Sequence, residues 1–150
     1  MAQLSSEDTD FSLIELDRAE CLELFRRAGI GRVVLSVKCI PVALPVNVCL
    51  VDGDVVFATD EGSKLNAAMR GTVVSVEVDD IDRIYHTGWS VLVTGVAELL
   101  TDPEDIARVL HLPVQPWAPG PHPFIVRVPS TVVTGRRIEW GTSTRIQVGP

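Results

Sequence analysis

The chain has 150 residues, 46% of them hydrophobic and only 5% aromatic, with a formal net charge of −7. That length predicts one domain, residues 1–150, with room for a sizeable core. The acidic balance, without any Lys/Arg run, argues against nucleic acid and anionic membrane surfaces as partners, since both require a positive face.

Cys21, Cys39 and Cys49 form no C-x-x-C pair and are odd in number. Free, mostly buried thiols in a reducing compartment are the expectation. No apolar run approaches the length of a membrane span, and the acidic, Ser-rich start is no signal peptide, so a cytoplasmic protein is expected.

In chain order, residues 1–12 read as a loosely docked tail. Residues 17–28 read as an amphipathic helix, with Asp17 as cap, Glu20 three residues on, Cys21, Leu24, Phe25 and Ala28 on one face, and Gly29 as terminator. From Gly31 the hydrophobic period becomes two, which predicts a first strand to about Lys38 and a second over residues 42–51. Asp52-Gly53 is the strongest hairpin signal and leads into a third strand over residues 55–59. After a short helix come a strand over residues 72–78, an acidic loop from Asp79 to Asp82, and a long strand over residues 89–99. Gly95 is the expected bulge or bend of that strand. Asp102 or Thr101 caps a second helix around residues 103–110, with Pro103 at its first position. A Pro-rich loop follows, then a last strand over residues 124–138 interrupted by Pro129, and a polar tail from Gly141. Six antiparallel strands and a few short helices predict a mainly β fold, a small barrel whose closure removes exposed edges.

The stretch from Val55 to Arg70 carries the chemistry. A strand breaks at Gly62, and a short helix begins with Ser63 as N-cap, with Leu65, Ala68 and Met69 on one buried stripe. Lys64 follows at the positive end of the helix dipole, a mildly unfavourable place for a cation. Two explanations stand. An anion binds there, held by the hydroxyls of Thr59 and Ser63, the first free amides and the ammonium. Alternatively Asp60 or Glu61 neutralises Lys64 and nothing binds.

Elsewhere the sequence is quieter. His86, His111 and His122 have no metal-ligand spacing, and no P-loop, G-x-S-x-G or G-x-G-x-x-G occurs. His86 reads as a solvated loop residue or an acid near a site. Trp89 reads as core or interface, and Cys49 as a buried structural thiol.

Taken together, Glu20-Cys-Leu-Glu-Leu, Pro45-Val-Asn, Phe57-Ala-Thr-Asp-Glu-Gly-Ser-Lys-Leu65, Glu77-Val-Asp, Gly88-Trp-Ser-Val, Pro116-Trp-Ala-Pro-Gly and Thr134-Gly-Arg-Arg-Ile138 span about 120 residues. In their order and spacing they resemble the pyridoxamine 5'-phosphate oxidase-related, FMN-binding split-barrel superfamily, in its small bacterial flavoprotein branch. The resemblance implies a six-stranded split barrel, a homodimer with FMN at the subunit interface, and hydride transfer at flavin N5 to or from a small substrate. It implies that Thr59, Ser63 and Lys64, with the adjoining Leu65, hold the FMN phosphate. The backbone of Pro45, Val46 and Asn47 would pass along the isoalloxazine ring. Trp117 would stack near the flavin of the neighbouring subunit or seal the interface. One of Arg136 and Arg137 would face the flavin, where a cation stabilises the anionic reduced ring. The same phosphate pocket would also suit a deazaflavin coenzyme, whose acidic tail the acidic surface disfavours, and a non-catalytic flavin-binding or sensing protein is a third reading. The chain departs from the true oxidases at Thr134-Gly-Arg-Arg-Ile-Glu-Trp, which has no His, and at Ser90, where Gln is frequent. Vitamin B6 oxidation is therefore not expected.

Overall fold

The computed structural model describes residues 11–59, 69–114 and 124–140. Local signals set both helices. Helix α1 (Arg18–Ala28) starts where the Asp17 carboxylate accepts the Glu20 amide at 2.8 Å, and ends at Gly29, whose φ of 69° suits a residue without a Cβ. Helix α2 (Pro103–Leu110) has Asp102 accepting from the amides of Glu104 and Asp105, and Pro103 at its first turn. Among the described residues, no helix is long and apolar enough to cross a membrane.

The strands are β1 (Phe11–Glu15), β2 (Ile30–Val37), β3 (Ile40–Val51), β4 (Asp54–Thr59), β5 (Val73–Asp82), β6 (Thr87–Val96), β7 (Glu98–Leu99), β8 (Phe124–Val128) and β9 (Val132–Trp140). The fold is mainly β and antiparallel, as expected, but with nine strands rather than six. Three of the differences have plain causes. Phe11 and Ser12, expected in a tail, pair with Trp140 and Glu139 as part of β1, where the Phe11 and Trp140 rings meet at 4.8 Å. Pro129, which has no amide hydrogen, divides the last strand into β8 and β9, which join different sheets. Asp79 to Asp82, expected as a loop, continue β5 in register with Ser90 to Thr87 of β6.

The hydrogen-bonded order is β1-β9-β6-β5-β2-β3-β4-β8-β7. Strand β3 serves both halves. Its pairing with β2 ends at Asn47, and its pairing with β4 begins at Val48. On the opposite side the chain passes from β8 to β9 through Pro129–Thr131. That corner is pinned, since Ser130 donates its amide to Asp54 at 3.0 Å and its hydroxyl to the Gly53 carbonyl at 2.6 Å, while Arg18 donates to the Ser130 carbonyl. The expected barrel is thus split. Among the described residues β1 and β7 are left as edges, and β6 meets the corner by packing at Gly95 and Pro129.

Inside lie Val33, Val48, Val55, Phe57, Val76, Val78, Val91, Val93 and Val126, plugged at one end by Cys21 and Phe25 of α1. The outer face of β4 and β8 is covered by α2, with Val56, Ala58 and Ile125 packed on Val109 and Val114. Burial on both faces explains why residues 55–59 are an unbroken apolar run rather than an alternating one. All three cysteines are free thiols. Burial pushes those of Cys21 and Cys49 up, the former helped by the charges of Asp17 and Glu20.

Candidate functional site

Two features of the sheet concentrate the residues singled out by sequence. The first is the split. Continuing the register of Val48 with Phe57 would set Thr59 opposite Val46, yet the two strands part before reaching it. Pro45, Val46 and Asn47 therefore run along the opening between the halves, beside the end of β4. The Val46 side chain is only 7% exposed and points into the barrel, so Pro45 and Asn47 face outward and Val46 offers its backbone. Thr59 is buried, pairs with Phe124, and stands four residues before Ser63 in sequence. Ser63, Lys64, Leu65 and Trp117 lie outside the described residues, as do Asp60, Glu61 and the tail from Gly141. Met69, last of the predicted helical stripe, is fully buried in the core.

The second feature is the outer face of the other half. Directly opposed residues in an antiparallel pair share a face. The ladders therefore place Pro45, Arg32, Glu77, Leu92 and Thr134 in one row across five strands. The neighbouring row holds Asp79, Ser90, Arg136 and Glu15. Arg136 thus shares the outward face with Pro45 and Asn47, about 19 Å away if the four intervening strand spacings are each ~4.8 Å. Arg137 points the other way. Its guanidinium pairs with Glu20 of α1 at 2.6 Å and with Glu139 at 3.5 Å. Of the two arginines, Arg136 is the one on the face that carries Ser90 and the split.

Between these points sits a cluster the sequence did not reveal. Arg32 bridges Glu77 at 3.1 Å and Asp79 at 3.4 Å. Partial burial and the Asp79 charge raise the Glu77 pKa, against the opposing pull of Arg32. Its signal was the outward phase of Arg32 and of Glu77, but only knowledge that β2 lies beside β5 makes the phases meet.

Arg136 also lines a cleft of about 510 Å³, together with Leu13, Ile81, Arg83, His86, Trp89, Ser90 and Ile138. The β5–β6 turn that forms one lip is fixed by Asp82, which accepts the amides of Ile84 and Tyr85 at 2.8 and 3.0 Å. The fold brings His86, Trp89, Ser90 and Arg136 to one place, although they were read separately from sequence.

An antiparallel β-barrel split along one strand, with an outward face carrying polar groups at the split, defines the class of protein. The family model described as pyridoxamine 5'-phosphate oxidase matches residues 17–137. The chain belongs to that family, in agreement with the resemblance drawn from its motifs. It is 40% identical over 131 residues to an uncharacterized protein of Mycobacterium tuberculosis, covering 84% of this chain and 86% of the relative. Among solved structures it is similar to the FAD binding protein of Mycobacterium smegmatis, at 34% identity and a TM-score of 0.71, covering 83% of this chain and 97% of that one. A FAD-binding protein of Mesorhizobium loti shares the fold at 21% identity and a TM-score of 0.69, over 87% of this chain and 99% of that one.

Proposed function

We propose that this protein binds FMN as a homodimer, with the cofactor at the subunit interface, and transfers hydride between flavin N5 and a small organic substrate. The observation that carries the reading is the parting of β3 from β4 at Asn47–Val48. It sets a length of backbone along an opening whose far lip is Thr59, four residues before Ser63-Lys64. When bound, the flavin supplies the redox chemistry; the chain supplies position and charge. Thr59, Ser63 and Lys64, with the adjoining Leu65, would hold the phosphate, with Lys64 compensating its charge. The peptide groups of Pro45, Val46 and Asn47 would meet the polar edge of the ring. Arg136 stands too far along the face to reach a ring at Pro45–Asn47 of its own chain, so in the dimer it would stabilise negative charge on the reduced ring bound by the other copy, while Arg137 is engaged by Glu20. Trp117 would close the site from the partner's side.

A second reading, FAD in place of FMN, is favoured by the Mycobacterium smegmatis protein, which is similar over nearly its whole length. The visible spectrum of the purified protein and mass analysis of the cofactor released by acid test both readings. Flavin bands with a released mass of FMN are expected. A released mass of FAD selects the second reading, and one of a deazaflavin replaces both. A colourless protein that neither FMN nor FAD titrates into a quenched-fluorescence complex overturns the proposal. Reduction of the bound flavin by NADH or NADPH separates an oxidoreductase from a protein that only holds the cofactor.

A further inference from the structure

We propose that the cleft between β1, the β5–β6 turn and β9 is the substrate pocket, and that it takes an apolar molecule bearing one negative charge, received by Arg83. As a substrate site, beside the ring that the other copy would hold, this rests on the flavin reading; as a binding site it does not.

The walls come from one row of the sheet. Leu13 of β1 is opposite Ile138 of β9, Ile138 is opposite Gly88 of β6, and Gly88 is opposite Ile81 of β5. Leu13 and Ile81 are each 62% exposed and Ile138 41%, so three large aliphatic side chains stand on the surface around a position that has none. The hollow is built into the backbone. A Cβ added at Gly88 would lie 2.5 Å from the Asp80 carbonyl oxygen, so no side chain can occupy that place without moving β5. The volume of about 510 Å³ lies within the range of small-molecule sites.

The charge around this apolar hollow has one sign left over. The chain carries 20 acidic residues against 13 Lys and Arg. Arg32, Arg108, Arg127 and Arg137 each lie within ion-pair distance of a carboxylate. Among the described residues, Arg18, Lys38, Arg70, Arg83 and Arg136 have no carboxylate within that distance, and of these Arg83 and Arg136 line the cleft. The one acid on its rim, Asp82, has an oxygen already engaged by the two amides that fix the turn. Two cations beside an apolar surface, in an acid-rich chain, attract an anion whose body is apolar. Arg136 is assigned above to the ring of the other copy, which leaves Arg83 to meet the substrate's charge; a fixed fork of N–H donors suits a carboxylate.

The test uses 2-naphthoate and its neutral counterpart 2-naphthylmethanol, titrated calorimetrically into the protein as purified. One naphthoate per chain is expected, bound at least about tenfold more tightly than the alcohol, the size of one charge-assisted contact. Arg83→Gln, on an exposed turn, is expected to abolish that preference while leaving the visible spectrum and melting temperature unchanged. Ile81→Trp, which fills the hollow from an exposed position, is expected to weaken both probes. Equal affinity for the two probes in the wild type, an undiminished preference in Arg83→Gln, or no binding because a second copy covers the cleft would each overturn the proposal. A colourless protein that still prefers naphthoate sinks the flavin reading and leaves the anion site standing.

Discussion

At the scale of single residues, the turn between β2 and β3 is the most demanding place in the backbone. Val37 pairs with Ile40, so Lys38 and Cys39 alone make the hairpin, with φ of 50° and 68°. Both central residues of such a turn occupy left-handed space, which Asn-Gly or Asp-Gly enters far more readily. Cys39→Gly removes a left-handed cost of about 1–2 kcal/mol, and a rise in urea-unfolding free energy of about 1 kcal/mol is expected. The Asp52-Gly53 hairpin has the same geometry, φ 52° and 84°, with the residues that suit it. That contrast explains why one turn was legible in the sequence and the other was not: nothing in Lys-Cys announces a turn, and only the ladder enforces it. Glu77 yields a pH prediction. Its folded pKa is raised by burial first and by Asp79 second, so as pH rises past the ordinary carboxylate range the unfolded chain ionises before the native one. Stability contributed by this residue is intact in acid, falls across that window, and is flat above its folded pKa. Glu77→Gln should therefore gain stability relative to wild type between acid and neutral pH, as chemical denaturation at both ends would record. For the proposed phosphate site, Lys64→Ala should weaken FMN binding by at least about 1.5 kcal/mol, the low end for a contact to a charged group, with the fold retained. Wild-type affinity in that variant would dismiss the phosphate assignment.

Among the elements, β6 and the β8–β9 corner depend on Gly95. A Cβ there would stand 2.1 Å from the Pro129 carbonyl oxygen. The obstacle is backbone, and the corner cannot retreat, because Ser130 is tied to Asp54, Gly53 and Arg18. Gly95→Ala should cost about 3 kcal/mol, the upper end of ordinary overpacking, and equilibrium unfolding with a loss near zero would show the corner to be pliable. The sequence read Gly95 as a bend, which located the place but not its reason, since Pro129 is 34 positions away. The same limit runs through the other elements. Helices α1 and α2 were legible because Asp17, Gly29, Asp102 and Pro103 are local signals, though the sequence left the cap of α2 open between Thr101 and Asp102, which the structure gives to Asp102. Strand β1 was not, because residues 11–15 have no turn or alternation strong enough to declare a strand until Trp140, Ile138 and Arg136 stand beside them. The acidic run at 79–82 misled for a related reason. Three aspartates in four positions favour a loop by composition, yet the register with β6 continues through them, alternating Asp79 and Ile81 outward. The candidate site divides likewise: the proposed phosphate motif is contiguous in sequence, so it could be proposed there although most of it lies outside the described residues, whereas the cleft is assembled from four strands and could not be.

For the whole molecule, the split sheet implies a link between cofactor, assembly and stability. The opening beside Pro45–Asn47 interrupts the ladder between β3 and β4, and the outward face keeps Leu13, Ile81, Ile138 and Trp140 on the surface of one copy. A ligand that binds the native opening and not the unfolded chain stabilises by mass action, by about 2.7 kcal/mol at a hundredfold excess over its Kd. In a chain of 150 residues each kcal/mol moves the melting temperature by about 2–4 °C, so saturating FMN should raise it by about 5–10 °C. If two copies share the cofactor, dilution should lower the melting temperature of the loaded protein as well, because dissociation then removes half of each site. Differential scanning calorimetry over a hundredfold range of protein concentration, with and without added FMN, separates the cases. A shift on FMN addition that ignores protein concentration would keep the flavin and discard the interface. No shift in either series would mean that the gap between the two halves of the barrel is stable without an occupant, and that the cofactor assignment fails with it. Lys64→Ala supplies the internal control: its FMN-induced shift should shrink while its unliganded melting temperature stays put, tying the effect to the phosphate rather than to the ring.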